Sequence, residues 1–137
     1  MLYYNVYNNI TDEEFIDIRN KMTALEQKMS VMLNPLGWKL TMPVRDNEGL
    51  IVDFTIDEKE FWGNIGFEYV DEPGQPVFTF YVTKTYYLRT DRFFVKKLLY
   101  KNKKLAFYDQ DLMKIIKDAL KLYHLWDAEY LRKHNML

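Results

Sequence analysis

The sequence predicts an α+β domain: an antiparallel meander sheet of four to five strands, with two long amphipathic helices, N- and C-terminal, packed on it. Three observations carry this. Residues 12–34 and 110–133 repeat apolar side chains every three to four positions, as a helix with one buried stripe does. Residues 38–88 alternate apolar and polar side chains with a period of two, the signature of half-buried strands. The breaks in that alternation are short and rich in Asp, Asn, Glu, Gly and Pro, which suits turns between antiparallel neighbours.

In chain order, residues 2–8 (LYYNVYN) read as a short strand, enriched in Tyr and Val. Thr11 then predicts a helix start, because Glu14 three residues later completes a capping box. Ile10 and Phe15 occupy the staple positions, and Asp12, Glu13 and Glu14 complement the positive end of the helix dipole. Phe15, Ile18, Met22, Leu25, Met29 and Met32 form the apolar stripe, and Asn34-Pro35-Leu36-Gly37 ends the helix. Strands follow around Trp38–Val44, Leu50–Ile56, Phe61–Tyr69 and Val77–Leu88. The Gly63-Asn64-Ile65-Gly66 stretch inside the third marks a bulge or a close backbone approach. Residues 92–101 fit either a short helix or a fifth strand, and the helix is the expectation. Residues 110–133 read as one helix, with Asp109 or Asp111 as cap and Leu112, Ile116, Ala119, Tyr123 and Trp126 on the apolar face.

At 137 residues the chain is expected to be one domain, 1–137. A domain of this length buries roughly 70% of the surface its unfolded chain exposes. With 17% aromatic residues it is not of disordered composition. There is no Cys, which excludes disulfides and thiolate chemistry. No apolar run is long enough to span a bilayer, and the first ten residues lack the features of a signal peptide. The expectation is a cytoplasmic protein without a membrane partner.

Catalytic motifs are sparse. The one serine, Ser30, falls inside the first helix, away from any tight turn that would present a nucleophile. Phosphate-binding glycine loops are absent. His124 and Asp127, three apart, fall short of the three ligands a catalytic zinc needs. Asp53, on the polar side of a strand, is the carboxylate most apt to face a cleft. A sheet–helix pocket lined by Trp62, Tyr69 and Tyr81 is the small-ligand alternative. No metal, cofactor or catalytic residue is assigned; the residues lean against an enzyme, and a small-ligand binder or enzyme using that pocket is the third reading.

Charge is segregated. Residues 84–104 hold Lys84, Arg89, Arg92, Lys96, Lys97, Lys101, Lys103 and Lys104 against Asp91, a net +7, whereas residues 1–72 carry a net −8. Interleaved Tyr and Phe make the basic stretch a candidate contact for a macromolecule. Asp46, Glu48, Asp57, Glu58 and Glu60, all in expected turns, are a second, acidic candidate. The class expected from these features is a non-enzymatic interaction protein, such as a small bacterial or phage inhibitor or immunity-type protein that occludes a target protein's functional surface. A nucleic-acid-binding module using residues 84–104 is the alternative. An uncovered aromatic sheet face would also suit a homodimer.

Overall fold

The structure, a computed structural model, describes residues 5–72, 75–100 and 110–137. It contains helix α1 (Asp12–Leu33), strands β1 (Lys39–Met42), β2 (Ile51–Asp57), β3 (Phe61–Glu72), β4 (Gln75–Tyr86) and β5 (Arg92–Tyr100), and helices α2 (Gln110–Leu125) and α3 (Ala128–Lys133). The strands lie in the order β1-β2-β3-β4-β5 with every neighbouring pair antiparallel. The α+β meander is therefore the fold.

Helix α1 begins as its sequence dictates. The Thr11 hydroxyl accepts from the Glu14 amide at 3.1 Å and the Glu14 carboxylate accepts from the Thr11 amide at 3.0 Å. Ile10 and Phe15 on either side of this cap are both buried. The helix stops at a 3-10 turn, Asn34–Leu36, and Gly37 follows at φ 95°, a backbone state that a side chain would strain. A second buried stripe runs beside the apolar one. In it the Glu26 carboxylate accepts from the Val44 amide and the Arg45 guanidinium, both at 2.8 Å, while Arg19 donates to the Asn47 carbonyl at 3.0 Å. These bonds pin the β1–β2 connection to the helix.

Both long helices cover the same sheet face. Phe15, Met22 and Met29 of α1 and Leu112, Ile116 and Tyr123 of α2 share one core with Phe54, Phe67, Phe80 and Val95. Each such side chain, taken from water, contributes roughly 1.5–3 kcal/mol. Gly63 lets two rings lie against β3: a Cβ there would sit 2.7 Å from Trp38 and 2.7 Å from the Tyr123 hydroxyl. Its pairing is regular, so close approach, not a bulge, explains the glycine.

Three expectations are corrected. Residues 92–100 form the fifth strand, not a helix, because they continue the ladder from β4. Phe94 pairs with Thr83 and Lys96 with Val82, so Val95 is the extra residue of a β-bulge. Residues 5–8 are not in a strand, since Asn5 turns the chain locally: its amide donates to the Ile10 carbonyl and its oxygen accepts from the Tyr7 amide. Residues 2–4 and Asp109 lie outside the described residues. The C-terminal helix is two helices, broken at Trp126-Asp127, where Asp127 caps α3 by accepting from the Tyr130 amide at 2.8 Å.

Candidate binding face

The opposite face of the sheet carries none of the described helices. Cross-strand pairing fixes which side chains share it. Asp57, Trp62, Thr85 and Arg92 stand in one row, then Thr55, Asn64, Thr83 and Phe94, then Asp53, Gly66, Tyr81 and Lys97, then Ile51, Glu68, Thr79 and Leu99. Read across the strands, β2 and β3 supply carboxylates, β4 supplies threonines and a tyrosine, and β5 supplies cations around a phenylalanine. Charge therefore changes sign from one side of the face to the other.

A groove of about 560 Å³ crosses this face, with Asp53, Trp62, Asn64, Tyr81 and Arg92 in its walls. Gly66 makes room for the Tyr81 ring, which lies over the β3 backbone. That pose brings the Tyr81 hydroxyl 3.1 Å from Asp53 Oδ1. The other Asp53 oxygen accepts from Asn64 at 2.9 Å and Thr41 at 3.1 Å. Burial raises the Asp53 carboxyl above its ordinary value, and the hydrogen bonds from Asn64, Tyr81, Thr41 and Thr55 only partly oppose it. Burial, then the Asp53 charge, likewise raises the Tyr81 hydroxyl. Asp53 does face a cleft, but its two oxygens are already engaged, which suits a scaffold more than an acid or base.

Along β5 the outward residues alternate in kind. Phe94 is 45% exposed, with the Arg92 guanidinium 4.9 Å and the Lys97 ammonium 5.1 Å from its ring centre. Among the described residues neither cation takes part in an ion pair. Arg89 differs, being bound to Asp91 at 3.0 Å in the β4–β5 turn. Lys96 is partly buried beside the bulge. Lys101, Lys103 and Lys104 lie outside the described residues.

Lys84 is corrected from a partner-binding charge to a core group. It is 3% exposed on the inner face, and its ammonium donates to the Tyr123 carbonyl at 2.8 Å. The Phe61 and Tyr123 rings lie 4.7 and 4.3 Å from it. In an unbroken helix the Asp127 amide would reach that carbonyl, but it donates to Leu125 instead. Lys84 thus replaces the amide lost where the helix breaks, at the negative end of α2. Burial lowers its pKa, against the pull of Glu58 at 4.0 Å and of Asp127. The alternation of β4 already assigned this position to the core, since it continues Phe78, Phe80 and Val82.

The acidic candidates do not gather into one rim. Asp46 and Glu48 lie in the β1–β2 connection, and Asp57, Glu58 and Glu60 lie at the other end of β2. A seven-residue strand holds them roughly 20 Å apart. Asp57 accepts from the Tyr87 hydroxyl at 2.6 Å. Glu58 accepts from the Tyr123 hydroxyl at 3.1 Å and lies 4.0 Å from His124, lining a second hollow of about 400 Å³ with Lys84 and Asp127. Glu58 is thus committed internally, a role its turn position did not reveal.

The pocket expected between sheet and helices is filled by core. Trp62 and Tyr81 line the outer groove, whereas Tyr69 is buried on the inner face against Tyr7 and Phe78. Among the described residues no three His, Asp or Glu side chains converge to hold a metal ion, and no helix is long and apolar enough to cross a membrane. No known protein family, curated protein or solved structure matches this chain.

Proposed function

We propose that this chain is a non-enzymatic binding protein whose contact surface is the sheet face along β5 that no described helix covers. The observation that carries the proposal is the exposed Phe94 ring held between two cations that no described carboxylate neutralises. A half-exposed ring flanked by positive charge is a poor solvated surface and a good contact for a partner offering negative charge and flat apolar groups. Asp53 and Lys84, whose burial opposes their charged forms, support a binding role over catalysis. Asp53 is engaged by its hydrogen-bond donors and Lys84 by a backbone carbonyl, so neither is poised beside a nucleophile. Such a face would act by occlusion, the manner expected of an inhibitor or immunity-type protein.

The test is a photo-crosslinking phenylalanine analogue placed at Phe94, with a control at Val31 on α1, which is 79% exposed. In extracts of the cells that make the protein, adducts to a macromolecule should form from position 94 and not from position 31. Equal adducts from both positions, or none from either, would remove the face from consideration.

A further inference from the structure

We infer that the occupant of this face is single-stranded nucleic acid, its phosphates running along β5 and its bases lying inward over Phe94 and the groove. The inference rests on the binding face proposed above and names its partner. Three features of that face argue for this occupant.

The first is order. Along β5 the outward side chains run cation, ring, cation, as Arg92, Phe94 and Lys97. A nucleic-acid strand alternates phosphate, base, phosphate, so one register satisfies all three. Aromatic rings accept any base by stacking, and flanking cations take the phosphates.

The second is polarity across the sheet. Asp53 and Asp57 on β2 and Glu68 on β3 share the face with Arg92 and Lys97 on β5. Phosphates are repelled from the β2 side and held at the β5 side, so the strand is aligned along one edge. Bases then point toward Asn64 and Tyr81, into the groove of about 560 Å³. The β5-to-β2 distance is three strand spacings, roughly 14 Å, a span comparable to a nucleotide laid across the sheet.

The third is strandedness. A duplex keeps the faces of its bases stacked on one another and hidden from a side-chain ring. Only unpaired bases can be splayed onto an open sheet. An acidic peptide would satisfy Arg92 and Lys97 but leaves the ring between them without a planar partner.

The experiment is fluorescence anisotropy of the full chain with labelled mixed-sequence oligonucleotides, single-stranded DNA, single-stranded RNA and duplex DNA of equal length. Single strands should bind more tightly than duplex. With Arg92 and Lys97 each releasing a counterion, affinity should fall about 7-fold between roughly 50 and 200 mM salt. Phe94→Ala should weaken binding about 5- to 160-fold, the range for losing one base–aromatic stack. Phe94→Tyr, which keeps the ring, should retain it, and Lys28→Ala on α1 should leave it unchanged. No binding of single strands at low salt, equal affinity for duplex, or an unaffected Phe94→Ala would overturn the inference. Position-94 adducts that are destroyed by protease and not by nuclease would overturn it while leaving the binding face standing. Loss of both adducts and oligonucleotide binding would remove face and partner together.

Discussion

On the inner face of β3, Gly63 leaves room for the Trp38 and Tyr123 rings; on the outer face, Gly66 leaves room for the Tyr81 ring. The two glycines stand on one strand, three residues apart, and answer to different constraints. Trp38 and Tyr123 are fully buried, walled in by helix α2 and the core, and have nowhere to go. Tyr81 is only partly buried on a face that no described helix covers, and it can swing outward. The same vacancy is thus a packing requirement on one side and a surface shape on the other.

The sharpest way to break this comparison is to fill both vacancies. Gly63→Ala should destabilise the fold by about 3 kcal/mol, since overpacking two immobile rings is costly. Gly66→Ala should cost about 1 kcal/mol and release the Tyr81 ring from Asp53. Equal losses in chemical denaturation would mean that the outer face is as confined as the inner one.

Next in size is the buried cation. Lys84→Met keeps the bulk but leaves the Tyr123 carbonyl without its donor, and a loss of about 2 kcal/mol is expected. The corresponding change on the outer face, Lys97→Met, should stay within about 0.5 kcal/mol. Thermal melts of the pair separate a structural lysine from a surface one, and similar values would return Lys84 to the surface.

A smaller effect concerns pH. Because burial raises the Asp53 pKa, the folded chain holds this proton more tightly than the unfolded chain does. The stability so gained is fully present below the ordinary value of 3.8 and is lost as pH rises through the folded pKa. Asp53→Asn should remove this component, so the difference between wild-type and variant stability should change with pH in that window. A constant difference across acid titration would show that the outer face leaves Asp53 fully hydrated.

The smallest expected effect on stability is that of Phe94→Ala, within about 0.5 kcal/mol, because its ring is half in water. A loss above about 2 kcal/mol would make Phe94 a packing residue and remove its claim to a partner.

These contrasts also explain what the sequence made legible. Within each of β2, β3 and β4 the alternation is unbroken, and the inward set of Val52, Phe54, Ile65, Phe67, Phe78 and Phe80 follows from it directly. In β5 the bulge at Val95 spaces the inward residues Phe93, Val95, Leu98 and Tyr100 by two, three and two, a pattern that reads as neither strand nor helix. The break at Trp126-Asp127 was hidden because the apolar spacing continues across it, and only the Asp127 cap marks it. For the candidate site, residue chemistry pointed to Arg92, Lys97 and Asp53 but overlooked the positions of Lys84 and Glu58. Charge was counted along the chain, whereas the pleat sends alternate charges to opposite sides.

The two glycines also bear on how this chain can drift. A side chain at position 63 is admissible only together with smaller residues at both 38 and 123, three simultaneous changes that pass through poorly packed intermediates. At position 66 one compensating change at 81 is enough. Substitutions at 66 and 81 should therefore travel as a pair through descendants of this sequence, reshaping the outer groove, while position 63 stays fixed.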